Sequence, residues 1–248
     1  MTWFDSNPLL IPRGRPQTLV LDGKIYFLSG HDNETQPDAP DVEAYDPTTG
    51  NWKALPNLSF PLGYRFICAA LENPNRILVA SSTETETGET SEFCQYDVGK
   101  DCWELMEKPV RKLHYRCPLG HEGKAVTAGN TLYWVTDNNT KLIAYDVDHD
   151  MWLLGSLKGI GISFLEYEEP CPFCLIHLED ERFCIVQQSF ENCVEIQCVI
   201  IEVYRKRRDN RPTDIYRKGS DNSLGIKVGS VHKYGVEENF SVTHCFLI

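Results

Sequence analysis

The sequence predicts an all-β fold, a propeller of stacked four-stranded blades. The first observation is a repeat. A Tyr-Asp pair is followed, seven residues after the Tyr, by a Trp in three places: Tyr45-Asp46…Trp52, Tyr96-Asp97…Trp103 and Tyr145-Asp146…Trp152. These are the only Tyr-Asp dipeptides, they use three of the five Trp residues, and they recur about every 50 residues, a period that suits propeller blades. The second observation lies upstream of each copy, where a turn precedes a short apolar run. These runs are Asp22-Gly-Lys-Ile-Tyr-Phe-Leu-Ser-Gly30, Asn73-Pro-Asn-Arg-Ile-Leu-Val-Ala80 and Gly129-Asn-Thr-Leu-Tyr-Trp-Val135, with a fourth at Glu179-Asp-Glu-Arg-Phe-Cys-Ile-Val186. Turn residues followed by β-branched and aromatic residues read as tight hairpins of buried strands. The third is that no segment carries a convincing helical pattern.

Each unit reads as four strands. In the first these are 18–21 (the inner strand), 24–29, 42–46 and 52–55. The turn Pro47-Thr-Thr-Gly50 joins the last two, Pro fixing φ and Gly open to positive φ. The second unit repeats this over about 65–105 and the third over about 124–154. The fourth is degenerate. A run at 193–204 stands where a third strand belongs but lacks Tyr-Asp…Trp. Beyond it come 224–234 and a terminal strand, 240–248, which either completes the fourth blade or closes against the first. The charged, turn-rich stretch 205–223 reads as an exposed loop.

The whole chain, 1–248, is therefore expected to be one domain with units at about 12–56, 64–107, 121–157 and 171–248. The degenerate fourth unit favours an open or imperfectly closed array. The repeated Tyr and Trp residues are expected to be buried, since large rings at fixed positions fill the wedge between stacked blades.

Bulk properties narrow the function. Among 248 residues, 42% are hydrophobic and 24% charged, close to soluble globular averages. A formal net charge of −12 argues against nucleic-acid binding, which needs a dominant basic face. No apolar stretch approaches the roughly 18 residues needed to span a bilayer, and Met1-Thr-Trp-Phe-Asp-Ser6 has no signal-peptide character. Neither membrane nor nucleic acid is expected as a partner, and the expected location is cytoplasmic or nuclear. The ten Cys residues then read as reduced, mostly buried thiols. The sequons at Asn33, Asn57, Asn138 and Asn239 read as chance matches.

The residues Leu21-Asp-Gly-Lys-Ile-Tyr-Phe-Leu-Ser-Gly30 and Val42-Glu-Ala-Tyr-Asp-Pro-Thr-Thr-Gly-Asn-Trp52 closely resemble a kelch repeat. The third unit, with Gly129-Asn-Thr-Leu-Tyr-Trp134 and Ile143-Ala-Tyr-Asp-Val-Asp-His-Asp-Met-Trp152, resembles the kelch units of plant F-box/kelch-repeat proteins. The resemblance covers roughly residues 12–204. The kelch double glycine survives only as Ser29-Gly30; Ser81-Ser82, Thr136-Asp137 and Gln187-Gln188 stand there in the other units. In that family an F-box docks on the ubiquitin-ligase scaffold, and the propeller selects the protein to be ubiquitinated. The stretch 1–16 is too short for an F-box, and Trp3 with Pro8, Pro12 and Arg13 resembles the tail of a preceding repeat. A truncated gene product and a kelch-only relative both remain open.

Other constellations are weaker. Cys171-Pro-Phe-Cys174 resembles a redox motif, but its acidic approach disfavours thiolate and it leads into a strand. Adding His177 and Cys184 gives a possible zinc set, which strand alternation opposes. The basic cluster Arg205-Lys-Arg-Arg208 with Arg211, Arg217 and Lys218 reads first as a solvated loop, second as an import signal or a contact for an acidic partner. Gly159-Ile-Gly161 lacks the rest of a nucleotide fingerprint. No catalytic residue, metal or cofactor is expected.

What remains is the loop surface. In kelch proteins the loops leading into the inner strands often carry Arg and aromatic residues that grip a peptide. By that resemblance the partner-binding candidates are Arg13 and Arg15, Tyr64 and Arg65, His121 and Glu122, and Phe173. Arg offers a bidentate fork and Tyr rigid contact area. The alternative is that such an Arg pairs with a carboxylate of a neighbouring blade. The expectation is a protein-interaction module that binds a protein substrate or peptide. By the same resemblance it serves as the recognition part of a ubiquitin-ligase adaptor, meeting the scaffold only through an F-box. An enzyme or small-molecule binder using the central mouth, and a non-functional truncated product, are the alternatives.

Overall fold

A computed structural model of the chain describes residues 7–14, 16–30, 38–60, 62, 66–85, 88–106, 125–135, 141–158, 173–189, 195–206 and 223–235. Every regular element among them is a strand, and the strands form four antiparallel sheets. The first sheet holds β1 (Gln17–Leu21), β2 (Lys24–Leu28), β3 (Val42–Asp46) and β4 (Asn51–Ala54). The second holds β5 (Phe66–Glu72), β6 (Asn75–Thr85), β7 (Gly88–Asp97) and β8 (Cys102–Leu105). The third is β9 (Val126–Ala128), β10 (Thr131–Val135), β11 (Lys141–Asp146) and β12 (Met151–Ser156). The fourth is β13 (Phe173–Glu179), β14 (Arg182–Ser189), β15 (Glu195–Arg205) and β16 (Leu224–Gly235). In each, the spatial order follows the chain order, so each sheet is a simple meander and forms one blade of a propeller-type fold.

Local chemistry explains the meanders. Leu21 pairs with Lys24 across a two-residue turn, and Asp22 and Gly23 both hold positive φ, 53° and 71°. That is the turn geometry whose twist matches a hairpin, and Asp-Gly is well suited to it. At the far end of β2, Ser29 and Gly30 also take positive φ, 57° and 80°. A side chain on Gly30 would lie 2.8 Å from the Gly14 carbonyl oxygen. The surviving glycine of the kelch pair is thus where the incoming chain passes closest, and the Gly14 amide donates to the Gly30 carbonyl at 2.5 Å.

The chain divides into two compact units, Met1–Lys124 and Ala125–Ile248, each with two blades. In the first unit, alternation puts Tyr26, Leu28, Val42 and Ala44 on one face of the first blade. They pack against Cys68, Ile77, Val79, Cys94 and Tyr96 of the second. Gln17 ties the two β-edges together, donating through Nε2 to the Phe66 carbonyl at 3.1 Å and accepting from Cys68 Sγ at 3.1 Å. In the second unit, Val135, Leu142, Ala144 and Leu153 of the third blade meet Phe183, Ile185, Val199 and Ile201 of the fourth. The rings of Tyr133 and Phe183 lie 4.6 Å apart in that core.

The fourth blade corrects one expectation. Its outer strand is Leu224–Gly235, paired along the full length of β15, so the segment 240–248 is not needed to complete it. That segment, Trp3, Gly159-Ile-Gly161, Cys171 and most of the basic cluster lie outside the described residues. The expectation of fully buried repeat tryptophans is also corrected, since Trp52, Trp103 and Trp152 are all half-buried. They sit on the outer strands β4, β8 and β12, each with its ring against that of the repeat Tyr.

Candidate functional site

The repeat itself is a self-contained device. The seven-residue spacing places each Trp directly across from its Tyr on the neighbouring strand: Tyr45 opposite Trp52, Tyr96 opposite Trp103, Tyr145 opposite Trp152. The ring centroids lie 4.9, 5.2 and 4.6 Å apart, the first two pairs tilted and the third stacked. The Asp after the Tyr closes the turn. Asp46 Oδ1 accepts from the Thr48 amide, Asp97 Oδ1 from the Gly99 amide, and Asp146 Oδ1 from the His149 amide. Five residues after the Tyr the backbone turns left-handed, at Gly50 (φ 70°), Asp101 (φ 55°) and Asp150 (φ 48°). Asp tolerates that region and adds an acceptor. The Tyr96 hydroxyl donates to Asp101 Oδ1 at 2.5 Å and the Tyr145 hydroxyl to Asp150 Oδ1 at 3.0 Å. Burial and these carboxylates push both phenols well above their ordinary pKa.

The Trp of each of the first two blades also reaches toward the chain that precedes the blade. Trp103 Nε1 donates to the Pro56 carbonyl at 2.7 Å, and Trp52 Nε1 to the Asn7 carbonyl at 2.8 Å. Lys53 adds a link between these blades, reaching Asp101 at 2.5 Å. The groove beside it is lined by Lys24, Asp46, Trp52, Lys53, Tyr96 and Val98.

Among the residues expected to grip a partner, Arg13 is fully described. Its side chain and that of Glu43 are both 0% exposed. Arg13 Nε and Nη2 donate to Glu43 Oε1 at 2.9 and 2.8 Å. Its remaining fork reaches the carbonyls of Ser29, Asp41 and Pro40. Glu43 Oε2 accepts from the Leu10 amide at 2.9 Å. Arg13 thus braces the incoming segment against β3 of its own blade. The signal available in the sequence was Glu43, a carboxylate at the strand position filled by Cys94 and Ile143 in the next two repeats. Arg15, Tyr64, Arg65, His121 and Glu122 lie outside the described residues, and Phe173 opens β13. Arg15 and Arg65 stand just before β1 and β5, and His121-Glu122 shortly before β9.

The described thiols sit as strand residues. Cys68 and Cys94 are buried and Cys174, Cys184 and Cys198 half-buried. The proposed zinc set is split by alternation. Cys174 and Cys184 share one face of the fourth blade, whereas His177 packs against Phe183 on the other at 5.1 Å. Among the described residues no group of His, Cys, Asp and Glu is placed to hold a metal ion. Burial, then the neighbouring Cys198, pushes the Cys184 thiol up to about 11, and burial pushes Cys198 up as well. Site-resolved alkylation of the native protein near pH 8 should therefore label both far more slowly than in the unfolded chain. Labelling at the unfolded rate would show that these thiols are accessible and ionised.

Arg205, the first residue of the basic cluster, pairs with Asp146 of the third repeat. Burial alone would raise the Asp146 carboxyl, but hydrogen bonds from Arg205 and His149 hold it below its ordinary pKa. Asp46 is lowered by Thr48, Asp97 by the Lys100 amide, and Asp101 by Lys53 and Tyr96. A carboxyl with a folded pKa below its unfolded value of about 3.9 stabilises the fold above that pH. The contribution is lost as pH falls through the folded pKa. Stability is expected to hold from neutral pH to about 5 and to drop below about 4. Asp146→Asn should blunt that drop. Urea melts across this range measure both; an identical acid profile in the variant would assign the drop to other carboxyls.

The sheets define a propeller-type protein, and comparison with known proteins agrees with the geometry of its hairpins. Residues 12–59, which hold the first blade, match the Kelch motif family. Over 126 residues it is 30% identical to Kelch repeat and BTB domain-containing protein 1 of cowpox virus (strain Brighton Red), covering 48% of this chain and 22% of that one. Over 140 residues it is 26% identical to an F-box/kelch-repeat protein of Arabidopsis thaliana, covering 56% of this chain and 32% of that one. The match thus spans between 22% and 32% of the length of these two relatives. Among solved structures, that of YjhT is similar with a TM-score of 0.44 and 9% identity, over 79% of this chain and 74% of that one. Among the described residues no helix is long and apolar enough to cross a membrane.

Proposed function

We propose that the chain is the partner-recognition part of a protein adaptor. A protein or peptide is gripped by the loops that lead into the first strand of each blade. The observation that carries this reading is the recurrence of one four-stranded blade design, with a stretch of chain leading into the first strand of every copy. Connections between the strands of a repeat are free to vary in sequence while the blade design is kept, which suits them to recognition. Arg15 and Arg65 with Tyr64, His121, Glu122 and Phe173 occupy those positions and offer bidentate, aromatic and charged contacts of the kind that dominate interfaces. Arg13 is left out, because its guanidinium is buried against Glu43.

Resemblance to F-box/kelch-repeat proteins supports a finer reading. In it the bound protein is a substrate presented to a ubiquitin ligase, and the scaffold is reached through an F-box on the same polypeptide. The test is quantitative co-purification with the wild-type chain and with Arg15→Glu, Tyr64→Ala and Arg65→Glu, using the exposed Tyr234→Ala as control. A specific partner should be lost at least about tenfold from the loop variants and kept by the control. Ubiquitin conjugates of that partner should accumulate only with an F-box-bearing form. A partner set unaffected by all three loop variants would overturn the recognition surface.

A further inference from the structure

The first blade and the fourth each carry apolar residues on the face turned away from the blade that they pack against. In each of the first three blades the Tyr of the repeat shares one sheet face with alternate residues of the other strands. In the second blade that face holds Cys68, Ala70, Ile77, Val79, Cys94, Tyr96 and Trp103, all packed in the core shared with the first blade. The register puts Thr18, Val20, Ile25, Phe27, Glu43, Tyr45 and Trp52 at the corresponding places of the first blade, with Glu43 buried against Arg13 of the incoming segment. There Val20 is 66% exposed, and Ile25, Phe27, Tyr45 and Trp52 are half-buried. Phe27 and Trp52 nevertheless touch, at 5.2 Å, as a prepared aromatic pair.

The segment leading into this blade has the layout of an inter-blade connection. Trp3, Asn7, Pro12, Gly14 and Gln17 repeat the spacing of Trp52, Pro56, Pro61, Gly63 and Phe66. Asn7 also does what Pro56 does, giving its carbonyl to the indole of the following blade at 2.8 Å against 2.7 Å. At Asn7 and at Pro56 the two segments thus meet the Trp of the following blade in the same way.

The complementary face is the one that Tyr26, Leu28, Val42 and Ala44 present from the first blade to the second, all buried. On the fourth blade its counterparts are Cys184, Val186, Cys198 and Ile200, extended by Ile176 on β13. They are apolar throughout, and all but Val186 are half-buried. We propose that the Val20–Phe27–Trp52 face is a docking surface for a second copy of this chain, which supplies the Cys184–Ile200 face of its fourth blade. The contact is head-to-tail and repeats, between molecules, the blade-on-blade packing of the first unit. Apolar faces of this kind are what association buries.

The test is light scattering with sedimentation equilibrium over a wide concentration range. The wild-type chain is expected to self-associate. Val20→Glu, at a position already exposed, and Ile200→Glu, on the opposite face, should each weaken association at least tenfold. Ile176→Glu replaces Ile200→Glu if melting shows the latter to be poorly folded. Mixing the Val20 and Ile200 variants should restore a one-to-one complex, because each keeps the face the other lacks. A wild-type chain that stays monomeric at every concentration would overturn the proposal, whether its face is covered by its own chain or by another protein. Association indifferent to Val20→Glu, or no rescue on mixing, would overturn it too.

Discussion

Glu43→Ala should destabilise the protein by about 3–5 kcal/mol, among the largest losses any single substitution here produces. Glu43 and Arg13 have fully buried side chains, and the carboxylate accepts from Arg13 and from the Leu10 amide. Removing it strands a guanidinium in a site closed to water, with backbone carbonyls as its remaining acceptors. The cost is mainly that of the uncompensated charge, not the net worth of the pair. The double variant Arg13→Met, Glu43→Leu should therefore lose less than Glu43→Ala alone. Equilibrium denaturation of both variants beside the wild-type chain measures this. A loss below about 1 kcal/mol in Glu43→Ala would mean that water reaches the site.

The same pair shows where the sequence stopped being legible. Periodic features were read correctly because they follow from local geometry. The Tyr-to-Trp spacing is a cross-strand pair, the Asp-Gly turn is a hairpin, and four such units make four sheets. Arg13, standing ahead of an inner strand, reads equally as a residue that grips a partner and as one paired with a neighbouring blade's carboxylate, but Gly14 and Gly30 let the incoming segment pass so close that its side chain turns in to Glu43 of its own blade. Nothing in the spacing of Arg13 and Glu43, thirty residues apart, announces the contact. The fourth blade was blurred for a related reason. Without the Tyr-Asp…Trp hairpin, its long β15–β16 pairing is fixed by the alternation of Val199, Ile201 and Val203 against the core.

The other large effect is expected at Trp134, which is not part of the repeat. It is 1% exposed in the middle of β10, opposite Ile143, with its ring edge-on to Trp152 at 5.7 Å. Trp134→Ala removes a large ring from a closed site and should cost about 3–5 kcal/mol through lost transfer energy and an unfilled cavity. Trp52→Ala removes a ring of the same size from a half-buried outer strand. It should cost clearly less, about 1–2 kcal/mol, because water already meets part of the ring and the site can collapse. Trp134→Phe separates packing from polarity. The indole Nε1 is buried with no hydrogen-bond partner among the described residues. Phe loses some volume but also relieves an unmet donor, a penalty of about 1–3 kcal/mol, so the two effects should largely cancel. Denaturant melts should therefore show the largest loss for Trp134→Ala, a smaller one for Trp52→Ala and the smallest for Trp134→Phe. If Trp52→Ala proved as costly as Trp134→Ala, the first blade's aromatic face would be covered in solution by something that leaves it half-exposed in the isolated chain.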